Sequence, residues 1–203
     1  MSKNIKIVIF DVDDTLVYTI KTAYKKTNKA GKKVFNVDLK KNEFINLYGK
    51  YNFEDCIKHW YNVENIDEFV KEYSNIKMEY EFIGNLDKIF NELKKQNKIV
   101  GIVTNSTKEK TERKLKEYSK LLDFIYYDAE KPNIRAIRDI INKYNVRADE
   151  VLLIGDSEND YQVSKEAKIN FCAVNTGKNK WEKTNTTYIN SVNDLFKEGK
   201  IVI

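Results

Sequence analysis

The sequence of 203 residues predicts an α/β fold, in which a Rossmann-like parallel sheet is flanked by helices and carries a small α-helical cap domain. Short apolar runs rich in Val and Ile recur along the chain, and amphipathic helical patterns separate them. Such runs are typical of strands covered on both faces, and strand–helix alternation implies crossover connections between parallel strands. Polar clusters end several of the runs, and ligands bind beyond the carboxyl ends of such strands.

The first predicted strand, Ile5–Phe10, stops at the polar cluster Asp11–Thr15. Four further runs predict strands: Lys98–Val103, Phe124–Tyr127, Val151–Ile154 and Asn170–Val174. Two of these runs also end in polar clusters, which begin at Thr104 and at Gly155. Because parallel strands end at one edge of the sheet, we expect Asp11, Thr104 and Asp156 to lie on the same edge.

Helical patterns fill the intervals between the strands. Apolar residues recur at helical spacing before the second strand and define one buried stripe: Leu86, Ile89, Phe90 and Leu93. Similar spacing predicts helices over Thr107–Leu122 and Asn133–Tyr144.

Between Val17 and about Ile83 the alternation of strands and helices lapses. The segments in this interval look helical: 21–30, 39–48, 53–61 and 66–78. We therefore predict a core domain formed by residues 1–16 and 84–203, with residues 17–83 inserted as a helical cap over the active edge. The alternative is a set of surface helices without a role at the site.

Composition restricts the function classes. The chain has 36 Lys and Arg against 31 Asp and Glu, and the net charge of +5 is spread along it, unlike the clustered charge of nucleic-acid binders. No apolar stretch approaches the roughly 18 residues of a membrane span. The apolar start of the chain ends at Asp11, so we expect no secretory signal. Cys56 and Cys172 suggest neither a disulfide framework nor a zinc site, so we expect a cytoplasmic protein, and a monomer by default.

Acidic residues dominate two of the polar clusters. In an extended turn, Asp11 and Asp13 point to the same side, and two close carboxylates repel each other unless a cation or proton lies between them. Mg²⁺ would suit, because it prefers oxygen ligands and phosphate partners. Asp156 and Asp160 supply more acid at a second strand end. The alternative is that these residues only cap the following helices.

The other two clusters offer groups that bind anions. Thr104-Asn105-Ser106 would place a hydroxyl and backbone N–H groups at a helix start, where anions bind. Lys131 precedes Pro132, the only proline, and proline is favoured in the first turn of a helix. We expect Pro132 to fix Lys131 at a helix entrance. An ordinary N-cap and a solvated surface lysine are the alternatives.

Together these elements resemble the haloacid dehalogenase-like (HAD) hydrolase superfamily, in its phosphatase branch with a helical cap between the first two motifs, as in phosphoglycolate phosphatase and beta-phosphoglucomutase. The resemblance spans residues 6 to 174. The residues that match its motifs, in chain order, are Asp11, Asp13 and Thr15, then Thr104, then Lys131, and finally Gly155, Asp156 and Asp160.

The resemblance implies a magnesium-dependent phosphomonoester hydrolase that acts on a small phosphorylated metabolite. Asp11 would attack phosphorus and form an aspartyl phosphate, and Asp13 would act as general acid and then as general base. The resemblance implies these metal ligands: Asp11, Asp13 through its backbone carbonyl, Asp156 and Asp160, the last supporting either the metal or Lys131. It implies these phosphate-binding groups: Thr104, the Asn105 backbone N–H and Lys131.

Two questions of specificity follow from the resemblance. Haloalkanoate dehalogenases of the superfamily lack the second aspartate, so Asp13 favours phosphoryl transfer. The cap segment Tyr48-Gly49-Lys50-Tyr51 would reach the substrate, with Lys50 pairing with an anion and Tyr48 or Tyr51 stacking on a ring; a plain inter-helix turn is the alternative. A phosphomutase of the beta-phosphoglucomutase type and a catalytically silent phosphate-binding module remain as alternative functions.

Overall fold

The computed structural model describes residues 4–197 and 199–201. The chain divides into two compact units: Thr19–Glu81 forms one, and the stretches on either side of it form the other. We refer to them as the helical unit and the sheet unit.

Among the described residues, the main sheet of the sheet unit has six parallel strands. In chain order these are β1 (Ile7–Phe10), β2 (Ile99–Val103), β3 (Phe124–Tyr126), β4 (Val151–Gly155), β5 (Asn170–Val174) and β6 (Tyr188–Ile189). Their order across the sheet is β3-β2-β1-β4-β5-β6, so successive strands proceed outward from β1 in both directions. The predicted parallel sheet is confirmed. The reversal of strand order beside β1 is the kind of switch point where α/β proteins bind ligands.

The register aligns the strand ends beside β1. Phe10, the last residue of β1, lies opposite Ile102 of β2 and Ile154 of β4. The polar residues that follow these strands therefore leave the sheet at the same edge.

The strand predictions were correct to within one or two residues at the ends. The sixth strand, β6, was not predicted, because it has only two residues and Tyr188 is 40% exposed. A strand this short at the sheet edge carries no apolar run that could distinguish it from a loop.

Four α-helices of the sheet unit are described: α5 (Leu86–Lys95), α6 (Lys108–Leu115), α7 (Arg135–Tyr144) and α8 (Glu158–Ala167). The predicted stripe of α5 is confirmed, since its four apolar residues are buried. Asn85 begins this helix by accepting a hydrogen bond from the Lys88 N–H at 2.9 Å. On α7, Ile137 and Ile140 pack into the core with Ile7 and Ile9 of β1.

The predicted single helix over 107–122 was wrong in its second half. After α6 the chain tightens into a 3₁₀ helix over Lys116–Leu121. Tyr118 in this segment is buried, and its ring meets the edges of Phe82 and Phe90 at 5.1 and 6.1 Å between centroids. This aromatic packing accompanies the change of helical pitch.

The helical unit contains α1 (Thr19–Phe35), α2 (Lys41–Leu47), α3 (Phe53–Tyr61) and α4 (Asp67–Asn75). Its core is aromatic: Phe44 and Phe69 are fully buried, and Phe35 stacks on Phe69 at 5.9 Å. Gly31 of α1 allows Tyr61 to approach, because a Cβ at this position would lie 2.2 Å from the tyrosine ring.

A short antiparallel pair, β7 (Phe196–Lys197) and β8 (Lys200–Ile201), lies near the end of the described chain. None of the helices in the described residues combines the length and the apolar character that crossing a bilayer requires.

Candidate active site

Three carboxylates meet at the edge of the sheet. Asp11 follows β1, Asp156 follows β4, and Asp160 lies in the first turn of α8. One carboxylate oxygen from each lies within 4.8 Å of the others, and all three residues are buried. Asp11 is far from Asp156 and Asp160 in the sequence, and the parallel sheet brings the three carboxylates together.

The Lys131 ammonium lies against two of these carboxylates. Its Nζ donates to Asp11 Oδ1 at 2.8 Å and also contacts Asp160 Oδ1. The lysine side chain is only 3% exposed, so both ion pairs are shielded from water. Lys131 therefore lies within the cluster of Asp11, Asp156 and Asp160 and is not a solvated surface lysine. We call these four residues the acidic centre.

Asn105, which follows β2, fixes the backbone of Lys131. The Lys131 N–H donates to Asn105 Oδ1 at 2.7 Å, and the Asn105 Nδ2 donates to the Lys131 carbonyl at 3.1 Å. The Lys131–Pro132 peptide is cis. The expectation that Pro132 fixes Lys131 at a helix entrance was wrong, because α7 begins only at Arg135; the Asn105 amide holds Lys131 instead.

Thr104 precedes Asn105 in the chain and is buried. Its hydroxyl oxygen accepts the Ser106 N–H at 3.1 Å, and its own N–H donates to the Tyr126 carbonyl at 3.0 Å. Residues 104–106 lie just before α6, which begins at Lys108 with Thr107 as its N-cap, within one residue of the predicted start at Thr107. The Thr104 hydroxyl oxygen closes a turn before the helix. The Ser106 N–H that it accepts is one of the backbone N–H groups that we expected to be available to an anion.

Asp13 points its carboxylate at a different pair of residues. Lys114 of α6 contacts its Oδ1, and the Ser106 hydroxyl donates to its Oδ2 at 2.5 Å. Within the described residues, the group of carboxylates close enough to share a cation does not include Asp13. Sequence reasoning missed Lys114 and Ser106. A signal for Lys114 does exist, since it falls at helical spacing on the buried side of α6 with Thr111 and Leu115.

Asp160 is held by the start of α8. Its Oδ2 accepts the Ser157 N–H at 3.1 Å, and its own N–H donates to Ser157 Oγ at 3.3 Å. Gly155 makes room for it, because a Cβ at that position would lie 2.4 Å from Asp160 Cγ. The second acidic cluster thus combines helix capping with the ion pair to Lys131.

Comparisons with known proteins identify the family. The sequence profile described as haloacid dehalogenase-like hydrolase matches residues 8–174, which is most of the chain. The chain belongs to the haloacid dehalogenase-like hydrolase family.

Individual relatives agree with this assignment. A Clostridium perfringens protein described as a candidate pyrophosphatase, PpaX, is 26% identical over 186 aligned positions, and the match covers 84% of each chain. The glyceraldehyde 3-phosphate phosphatase of Pyrococcus furiosus is 27% identical over 182 aligned positions, and the match covers 76% of this chain and 73% of that one. A HAD-superfamily hydrolase of Geobacter sulfurreducens superimposes with a TM-score of 0.73 at 16% identity, covering 96% and 98% of the two chains, which shows a shared fold. The predicted family and hydrolase activity are confirmed, and the relatives named for hydrolysis of phosphate bonds support phosphatase activity.

Burial governs the charge states in the acidic centre of this HAD-like hydrolase. Desolvation raises the pKa of Asp11 to about 6, although Lys131 opposes the shift. Desolvation also raises the pKa of Asp156 well above its ordinary value, and the charges of Asp11 and Asp160 add to the shift. For Lys131, burial by itself lowers the pKa, but the carboxylates of Asp11 and Asp160 raise it above the ordinary lysine value.

This donor set fits a divalent cation. Three buried carboxylates meet one ammonium, so the centre keeps excess negative charge that the protein side chains described above do not balance. Carboxylate oxygens are the ligands that Mg²⁺ prefers. Both oxygens of Asp160 are already engaged, Oδ1 with Lys131 and Oδ2 with Ser157.

The three cap residues singled out from the sequence lie after α2. The Tyr48 ring stacks on Phe44 at 4.7 Å, so Tyr48 packs within the helical unit. Gly49 has φ of 77°, and the Lys50 N–H donates to the Leu47 carbonyl at 2.9 Å, which closes the turn. Tyr51 is 62% exposed, and Lys50 is exposed as well. Their part in substrate choice stays a prediction.

Proposed function

We propose that this hydrolase is a magnesium-dependent phosphomonoesterase that acts on small phosphorylated metabolites through an aspartyl phosphate on Asp11. The observation that carries the proposal is the buried Asp11 carboxylate, which contacts Lys131 and lies beside Asp156. A carboxylate is a nucleophile that can form such an intermediate, and an adjacent cation keeps it ionised.

Asp11 carries out the first displacement. One of its oxygens attacks phosphorus in line, the new bond joins Asp11 to the phosphoryl group, and the bond from phosphorus to the ester oxygen breaks. Lys131 contributes by favouring the ionised form of Asp11, against the effect of burial.

Asp13 moves the protons. It donates a proton to the departing ester oxygen, and as a carboxylate it then accepts a proton from the water that attacks the aspartyl phosphate and releases Asp11. The exposure of the two side chains supports this division of roles: Asp13 is 28% exposed and Asp11 9%, so water reaches Asp13 more readily.

The phosphoryl oxygens would be held by Thr104, Asn105 and Lys131. The Thr104 oxygen accepts the Ser106 N–H, and its hydroxyl hydrogen can donate to a phosphoryl oxygen. Lys131 has three N–H bonds and directs two of them to carboxylates, which leaves one for the substrate. These donors would offset the negative charge that develops on the oxygens during transfer.

Mg²⁺ would be held by Asp11 and Asp156, with the backbone carbonyl of Asp13. We assign Asp160 mainly to Lys131, because it contacts the ammonium and is bonded to Ser157. When bound, Mg²⁺ neutralises negative charge on the phosphoryl oxygens.

We further propose that the helical unit is a cap and that Tyr48, Lys50 and Tyr51 contribute to substrate choice. The exposure of Tyr51 supports this role for the turn after α2. We also propose a cytoplasmic setting, because the spacing of Cys56 and Cys172 in the sequence suggests no disulfide framework.

The test is hydrolysis of p-nitrophenyl phosphate by the purified protein, followed by a panel of phosphosugars, phosphoglycolate, nucleoside monophosphates and inorganic pyrophosphate. We expect release of phosphate with Mg²⁺ and its loss with EDTA. Asp11→Asn should abolish release, whereas Asp123→Asn, which alters an exposed aspartate paired with Lys94, should not.

Three results would contradict the proposal. A fully active Asp11→Asn variant would exclude the aspartyl phosphate. Isomerised sugar phosphate that appears faster than free phosphate would favour a mutase. Mg²⁺ binding without turnover across the panel would favour a silent phosphate-binding module.

A further inference from the structure

The segment after β5 holds the backbone of Asp156. We call residues 175–181 the β5 loop. The Trp181 indole Nε1 donates to the Asp156 carbonyl at 2.9 Å, and the Asn179 Nδ2 donates to the same carbonyl at 3.1 Å. A carbonyl oxygen has two lone pairs, so this one has a donor for each. Trp181 is 2% exposed, which shields its hydrogen bond from competition with water.

The β5 loop also passes directly beside the Asp156 carboxylate. A Cβ at Gly177 would lie 1.8 Å from Asp156 Oδ2, which is far inside van der Waals contact. Any side chain at position 177 would therefore displace the carboxylate or the loop. The close approach therefore favours glycine here, because it leaves the carboxylate in place.

The same loop contacts the turn that follows β1. The Thr176 hydroxyl donates to the carbonyl of Asp14, the residue after Asp13. In addition, the Thr15 hydroxyl donates to Asp156 Oδ1 at 3.3 Å. The turn after β1 and the turn after β4 are thus connected through the β5 loop, and also directly by the hydrogen bond from Thr15 to Asp156.

Packing alone does not account for this arrangement. The Trp181 ring meets Tyr161 and Phe171 at 5.8 and 5.6 Å, and a phenylalanine could fill much of the same space. The indole N–H and the Asn179 amide both converge on one backbone oxygen, and that oxygen belongs to an acidic residue of the centre.

We propose that the β5 loop is the positioning element for Asp156: Trp181 and Asn179 fix its peptide, and Gly177 leaves the space its carboxylate occupies. The inference rests on the proposed function, in which Asp156 holds Mg²⁺. Groups that orient a metal ligand typically change metal affinity by about 10-fold or more when they are removed.

The experiment measures Mg²⁺ affinity by isothermal titration calorimetry on the whole protein, with thermal unfolding of each variant as a check of folding. Trp181→Phe keeps an aromatic ring and removes the donor, and Asn179→Ala removes the second donor from a partly exposed position. We expect each to weaken Mg²⁺ binding by about 10-fold, and Gly177→Ala to weaken it further. The matched control is Phe171→Leu, which disturbs the packing of Trp181 but no hydrogen bond to Asp156; it should lower the thermal stability and leave the affinity unchanged.

The outcomes separate this inference from the proposed function. Wild-type affinity in folded Trp181→Phe and Asn179→Ala would overturn the positioning role and leave the proposed function intact. An equal loss in Phe171→Leu would assign the effect to packing and overturn the role of the hydrogen bonds. Wild-type protein that binds no Mg²⁺ would contradict the proposed function itself, and the inference with it. If Trp181→Phe does not fold, Asn179→Ala decides.

Discussion

Replacing Lys131 with methionine tests the charge balance of the acidic centre. Methionine keeps an unbranched apolar side chain and removes the ammonium that contacts Asp11 and Asp160. The side chains of Lys131, Asp11 and Asp160 are 3%, 9% and 0% exposed, so water cannot replace the lost cation. Breaking a buried ion pair from one side destabilises a protein by about 3–5 kcal/mol, because it leaves an uncompensated buried charge.

Protonation limits this loss and makes it depend on pH. Protonating a carboxylate with an ordinary pKa of 3.8 costs about 4 kcal/mol of free energy at pH 7 and about 2 kcal/mol at pH 5. We therefore expect Lys131→Met to lower the free energy of unfolding by about 3–5 kcal/mol at pH 7 and by clearly less at pH 5.

The assay is urea unfolding followed by circular dichroism, with EDTA present so that no metal contributes. Lys6→Met is the control: Lys6 pairs with the buried Glu150 at 3.0 Å but is 49% exposed, so its loss should change stability by no more than about 1 kcal/mol. A Lys131→Met variant that loses no more stability than Lys6→Met, or loses the same amount at both pH values, would refute the reasoning.

Two further predictions concern Asp11 and Asp13. The pKa of Asp11 is about 6 in the folded protein, against an ordinary value of 3.8 in the unfolded chain. Between these pH values the folded state therefore binds more protons than the unfolded state. This group therefore lowers the free energy of unfolding as pH rises from about 4 to 6, and urea unfolding in EDTA should show a shallower decline for Asp11→Asn; parallel curves would contradict this. Lys114→Met removes the ammonium that contacts Asp13, so kcat for p-nitrophenyl phosphate should fall by about 10-fold with KM little changed; an unchanged kcat in folded protein would argue against a role for Lys114 in orienting Asp13.

The sheet and the acidic cluster could be predicted because both follow from local patterns. An apolar run such as Val151–Ile154 predicts a buried strand, and the polar residues after it must lie at the sheet edge. Asp11, Asp156 and Asp160 meet for this reason.

The supporting contacts could not be predicted, because they join residues that are distant in sequence and ordinary in type. Lys114 falls on the buried side of α6, but nothing in the sequence indicates its partner Asp13, which is 101 residues away. The Asn105 amide could have been assigned to a turn, yet it clamps Lys131. Trp181 carries no motif at all, and only the tertiary structure shows its bond to Asp156.

Errors at element ends have a related cause. Proline is favoured in the first turn of a helix, and this local preference placed Lys131 at a helix entrance, whereas α7 begins only at Arg135. The Thr104 hydroxyl was expected at a helix start, but it closes a turn ahead of α6. In both cases hydrogen bonds at the sheet edge override the local preference.

The most direct test of the central claim is to trap the phosphoryl group on Asp11. Wild-type protein would be quenched during turnover of p-nitrophenyl phosphate with Mg²⁺ and treated with borohydride, which reduces an acyl phosphate to the alcohol. Peptide mass spectrometry should then find homoserine at position 11 and unmodified aspartate at position 13. Active protein with unmodified aspartate at position 11, or with the reduced residue at another aspartate, would contradict the claim.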